Sequence, residues 1–143
     1  INKNKAFLDF VKDMLEFRKQ YIISKEQKKI SIHGMQVWKP DFEYYNRQMG
    51  ILIEGKQDVY IILNMHWDKH EFSLPTIKRS NDWHVLINTD DINDPFKKTE
   101  TQKTENQRNI VVEGRSCVVL VSKESAKKVN KKPDNLKHNL EDA

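Results

Sequence analysis

Apolar and polar positions alternate through Val59 to Pro75, VYIILNMHWDKHEFSLP, as a strand, a turn and a second strand would require. Val59, Ile61, Leu63, Met65 and Trp67 share one face and predict the core side, while Tyr60, Ile62, Asn64 and His66 share the other, which grows polar toward its end. Asp68 and Lys69 supply turn chemistry, and Pro75, which has no amide hydrogen, closes the ladder. The expected element is a hairpin in the middle of an antiparallel sheet.

Upstream the period changes. From Lys5 to Tyr21 the residues Phe7, Leu8, Phe10, Val11, Met14, Leu15 and Phe17 fill about half of a helical wheel, and Asp9, Lys12, Asp13, Glu16, Lys19 and Gln20 fill the rest. An arc that wide predicts two packing neighbours or one large one. Arg18 falls inside the arc, which predicts an ion pair for it. After a polar loop at 24–29, Ile30 to Trp38 reads as extended, with Ile30, Ile32 and Val37 toward the core and Gly34 at a bend. Tyr44 to Glu54 pairs with the central strand as a second hairpin, and Trp83–Thr89 and Arg115–Ser122 are two more strands. Between those two, Asp90 to Asn109 offers only Ile92 and Phe96 for burial and predicts a long mobile loop. The fold class that follows is mainly β: an antiparallel β-sandwich preceded by one N-terminal amphipathic α-helix. The expected division is a helix over 1–23, a sandwich over 24–122, and a poorly ordered lysine-rich tail over 123–143.

Composition narrows the function classes. A chain of 143 residues is long enough for one domain with a core and no disulfide, and the single Cys117 sits in the apolar run CVVLV, where a buried thiol is expected. No apolar run approaches the length of a membrane span and no charged-then-apolar leader opens the chain, so a soluble, cytoplasmic protein without membrane contact is expected. Ile1 at the head of the chain, entering a helix at once, predicts a piece of something longer. The pI of 9.1 invites a nucleic-acid partner. Half of the formal charge of +4 lies in the tail from Lys123, however, and the remainder shows no basic stripe, so no nucleic-acid partner is expected.

Little in the chain suggests catalysis. His33, His66, His70, His84 and His138 lack the spacing of a metal set, so neither a metal nor another cofactor is expected. No nucleophile elbow, P-loop or dinucleotide fingerprint occurs. The aromatic residues are the remaining functional material. Trp67 and Trp83, in phase with apolar neighbours, are expected in the core; Trp38 and Tyr44, at turns, could equally stack on a sugar or base.

These segments, in this order, resemble the C-terminal region of debranching enzymes of the alpha-amylase superfamily (glycoside hydrolase family 13), the isoamylases, glycogen-debranching enzymes and pullulanase relatives. FLDFVKDMLEFRKQ (7–20) is similar to the last helix of their catalytic barrel, with Leu15, Arg18 and Lys19 in its Leu-x-x-Arg-Lys pattern. HGMQVWKPDFEYYNRQMGILIEG resembles the opening of their terminal β-sandwich, DVYIILNMHWDKHEFSLP its Asn-x-His-Trp strand, and WHVLINT with RSCVVLV its final strands. The resemblance implies a non-catalytic domain that packs on a barrel and stabilises it, because the family's catalytic carboxylates lie upstream of every segment matched here. It also implies that the barrel is the natural partner of the Phe7–Phe17 face, which in the isolated chain would be covered by the sandwich or by a second copy. The alternative is an independent starch- or glycogen-binding module with Trp38, Tyr44 and Trp67 as the sugar-stacking residues.

Overall fold

The computed structural model describes residues 2–23, 28–96 and 101–125. The fold is mainly β, a sandwich-like arrangement of antiparallel sheets with one N-terminal helix, as the alternation predicts. The chain runs through α1 (Asn2–Phe17), a wide π-type turn (Arg18–Ile22), β1 (Lys29–His33), β2 (Gln48–Glu54), β3 (Val59–Asn64), β4 (His70–Ser73), β5 (Asn81–Asn88), β6 (Gln102–Lys103), β7 (Asn109–Val112) and β8 (Ser116–Glu124). Six strands form one sheet in the order β1-β2-β3-β8-β5-β6, and β4 pairs with β7 in a two-stranded ribbon.

Register fixes what each face of the large sheet carries. Leu52, Tyr60 and Leu120 lie opposite one another across β2, β3 and β8, as do Gly50, Ile62 and Val118. This face packs on the ribbon, and Phe72, Leu74, Trp83 and Val112 complete a closed core with it. On the other face Ile53, Val59 and Val121 share a row, and Ile51, Ile61 and Val119 the next. Here the cover is α1 with the segment after β5, through Phe10, Phe17, Tyr21, Ile22 and Phe96. The Phe10 and Phe96 rings meet edge-on at 5.4 Å. The helix end is tied down by Lys28, whose ammonium donates to the carbonyls of Tyr21 and Ile22, where a cation also meets the negative end of the helix dipole.

Several expectations are corrected. β3 is central, but β3 and β4 do not form a hairpin: β3 pairs with β2 and β8, and β4 crosses to the ribbon. Asn64 directs that exit, since its buried side-chain amide donates to the carbonyls of Asp68, Val112 and Glu113. The alternation therefore stops at Asn64. Tyr60, Ile62 and Asn64 are fully buried with Val59, Ile61 and Leu63 are partly covered, and Met65 and Trp67, expected in the core, are exposed. Trp83 is completely buried as expected.

The strand predicted from Tyr44 begins only at Gln48, because Asn46 turns the chain by donating to the carbonyls of Asp41 and Gln48. Ile30 and Ile32 are exposed, since β1 is an edge strand and neither residue joins the cluster that α1 covers. Val37 is half-buried, and Arg18 is exposed, so its charge stays in water and burial demands no partner for it. Asp90 to Asn109 is more structured than its composition suggests. It contributes β6, a buried Phe96 that bridges to Ile87, and a buried Thr104, although Ile92 is exposed. Residues 97–100 of that loop, and the tail beyond Ser125, lie outside the described residues.

Candidate functional site

β1 ends opposite the start of β2, and β3 ends opposite the starts of β2 and β8, so the segments 34–47, 65–69 and 113–115 gather at one end of the large sheet. That end carries all three candidate sugar-stacking residues. Trp38 is 59% exposed, Tyr44 96% and Trp67 62%.

Trp38 is held by a buried histidine. Its backbone has φ of 62°, a left-handed conformation that costs a bulky residue about 1–2 kcal/mol. It stands at the third position of a turn closed by the Lys39 amide on the Gln36 carbonyl, where glycine is the usual residue. The Trp38 amide donates to His33 Nδ1 at 2.7 Å. Nδ1 is thereby an acceptor, so Nε2 carries the proton and donates to Ser31 Oγ at 2.8 Å. His33 is fully buried, and desolvation lowers its pKa despite an opposing attraction from Glu54, which keeps the neutral tautomer in place. Gly34 permits the fold-back, because the Lys39 carbonyl lies where a Cβ would stand.

Trp67 has different surroundings. The His66 ring stacks on it at 4.1 Å between centroids, and the Arg47 guanidinium lies 5.6 Å from the ring centre. The backbone beneath is fastened to the turn before β8: the Arg115 amide donates to the His66 carbonyl, and the Trp67 carbonyl packs where Gly114 has no side chain. Tyr44 touches Tyr45 edge-on at 5.5 Å. The structure thus brings Trp38, Tyr44 and Trp67 to the same end of the sheet, each in its own setting. Arg47, which covers part of Trp67, was not expected; its place becomes evident only once β2 and β3 are registered.

In this region His66 Nδ1 lies 4.0 Å from Asp68 Oδ2, whose carboxylate is open to solvent. His66 and His70 come within 4.7 Å, ring to ring. The Nδ1 of His66 accepts the Asp68 amide, which fixes its proton on Nε2 and leaves neither nitrogen ready for a metal without a change of tautomer. Among the described residues no group of three or more His, Cys, Asp and Glu side chains could hold a metal ion, and His138 lies outside them. Cys117 is partly covered, and burial pushes its thiol up to about 11, which makes it a poor nucleophile.

A second surface lies on the helix side of the large sheet. Phe10 and Phe17 point α1 at the sheet, while Phe7, Leu8, Met14 and Leu15, on the adjoining arc, stay exposed, Phe7 at 69%. On the same side Ile30 is 65% exposed, and Ile32 is also open to solvent. Among the described residues no helix is long and apolar enough to cross a membrane. Comparison with protein-family models and with curated proteins finds no match for this chain.

Proposed function

We propose that this chain is the non-catalytic C-terminal β-sandwich domain of an alpha-glucan debranching glycoside hydrolase, packing on the catalytic barrel and stabilising it. The observation that carries the reading is the row of exposed apolar residues on the helix side, Phe7, Leu8, Met14 and Leu15 on α1 and Ile30 and Ile32 on β1. Apolar side chains concentrated on one side mark a surface that a partner covers. The segment that resembles a barrel's last helix is the one that leaves half of its apolar arc uncovered. On this reading the catalytic carboxylates belong to the barrel, the chain itself hydrolyses nothing, and the protein is cytoplasmic.

The test is direct. The coding sequence ahead of Ile1 should encode a barrel with carboxylates at its strand ends, and that barrel, expressed separately, should co-elute with this chain in gel filtration. Debranching of a branched alpha-glucan by the purified chain at an enzymatic rate, or an upstream sequence without a barrel, would sink the proposal.

A second reading is favoured by the exposure of Trp38, Tyr44 and Trp67 at one end of the sheet: an independent starch- or glycogen-binding module. A structural sandwich buries its rings, whereas a sugar platform leaves them open. Titration with maltoheptaose followed by tryptophan fluorescence separates the two. A saturable change supports the module, and an unchanged spectrum at millimolar sugar leaves the packing role alone.

A further inference from the structure

The crossing from β4 to β5 folds over Trp83 and forms one wall of a cavity of about 600 Å³; the segment before β7 forms the other. The two walls are joined, since the Leu74 amide donates to the Arg108 carbonyl at 2.7 Å. Its floor is fixed by the Trp83 indole, whose Nε1 donates to the Pro75 carbonyl at 2.9 Å. Gln107 locks the second wall, accepting the Trp83 amide and donating to the Trp83 and Thr104 carbonyls.

The lining is one-sided in charge. Lys78, Arg79 and Arg108 all line the cavity, and among the described residues no carboxylate does. A neighbouring cavity of about 410 Å³ shares Lys78 and Asn81 and adds Lys56 and Lys123 against, among the described residues, a single acid, Glu124. In a chain of formal charge +4, three cations around one cavity are a concentration that counting along the sequence does not reveal, because Arg108 joins Lys78 and Arg79 only through the fold. Thr76, Asn81 and Asn109 add neutral hydrogen-bonding groups to the lining, and Leu74 and Trp83 supply an apolar floor.

We propose that this cavity binds a phosphorylated sugar-like small molecule, with Lys78, Arg79 and Arg108 on the phosphate and Thr76, Asn81 and Asn109 on the hydroxyls. Guanidinium groups pair with phosphate oxygens through charge-assisted, often bidentate hydrogen bonds, and the cavity volume suits a small ligand. A nucleic acid fits less well, since its affinity comes from neutralising many phosphates along a track, and even with Lys56 and Lys123 of the neighbouring cavity only five cations among the described residues line the two.

The experiment uses the 143-residue chain, uniformly labelled with nitrogen-15, with the Trp83 indole cross-peak as reporter of the cavity floor. Glucose 6-phosphate is the probe, and glucose, inorganic phosphate and a short single-stranded oligonucleotide are the comparisons. Glucose 6-phosphate should shift the Trp83 indole and the Gln107 side-chain amide saturably, and more tightly than glucose or phosphate alone. Arg79→Gln and Arg108→Gln, both at exposed side chains, should each weaken it about tenfold while the spectrum stays dispersed. No shift at millimolar glucose 6-phosphate, or shifts indifferent to both substitutions, would overturn the site. Equal affinity for inorganic phosphate would overturn the sugar-like body, and tighter binding of the oligonucleotide would overturn the small-molecule assignment.

Discussion

The two faces of the six-stranded sheet are both apolar in the rows that β2, β3 and β8 share, yet they are covered differently. The ribbon face is closed, and Tyr60, Ile62, Val118, Leu120 and Trp83 on it are almost wholly removed from water. The helix face is closed only over its centre, where α1 and Phe96 lie on Val59, Ile87, Val119 and Val121, and it opens toward β1. An alternating pattern thus says that a face wants cover. It does not say that the same chain supplies it.

The largest expected effect tests the closed face. Trp83→Ala removes a fully buried indole and its hydrogen bond to Pro75, and should cost about 3–5 kcal/mol in urea unfolding, enough to unfold a marginal domain. A loss under 1 kcal/mol would mean that this face is not the closed core described above. Next is Asn64→Ala, which leaves the carbonyls of Asp68, Val112 and Glu113 without their shared donor. A cost of about 1–3 kcal/mol is expected, together with faster amide exchange in 65–69, because Asn64 ties that loop to β7.

Both of these sites show how far the sequence is legible. The number of faces, the helix and the strands β2, β3, β5 and β8 follow from period and β-branched content, since each is long enough for alternation to speak. β7, with only Asn109 to Val112, is too short for that, and β6 has two residues and no apolar one. The end of the central strand is hidden for a related reason. Alternation continues in the sequence past Asn64 to Met65 and Trp67, whereas a polar residue with three backbone acceptors ends the strand there. Trp38 and Tyr44 could be picked out as turn aromatics, but the strained Trp38 backbone and its tie to His33 depend on contacts that no local pattern encodes.

A smaller effect is pH-dependent. The folded-state pKa of His33 is lowered below its ordinary 6.5, so the unfolded chain binds the extra proton more readily than the native one. The stabilisation is therefore complete above about pH 6.5 and is lost as the pH falls through the lower folded-state value. The urea midpoint should drop between pH 7.5 and 5, the Trp38 amide should lose protection first, and His33→Gln should flatten that part of the profile. A midpoint that is constant or rises on acidification would contradict the Trp38–His33 bond. Comparable in size is Tyr60→Phe. Its hydroxyl is fully buried without a hydrogen-bond partner among the described residues, and burial pushes the phenol up to about 12. Removing it should stabilise the fold by up to about 1 kcal/mol, because a buried unsatisfied group carries its full desolvation cost; clear destabilisation would point to a partner for that oxygen.

The smallest effect on folding tests the open side. Ile30→Ser and Leu15→Ser replace side chains that already meet water, so neither should change the unfolding free energy by more than about 0.5 kcal/mol. The same two substitutions should act strongly on association, because burial of an aliphatic side chain at an interface contributes about 1.5–3 kcal/mol. If this side normally lies against a barrel, the chain alone should self-associate at high concentration in light scattering, and both variants should shift it toward monomer. Serine at Ile30 or Leu15 that destabilises folding as much as a core substitution would mean that both positions are buried and that the contrast between the faces does not exist. Variants that fold normally and associate as the parent does would remove this side as an interface and leave the aromatic end of the sheet as the surface to explain.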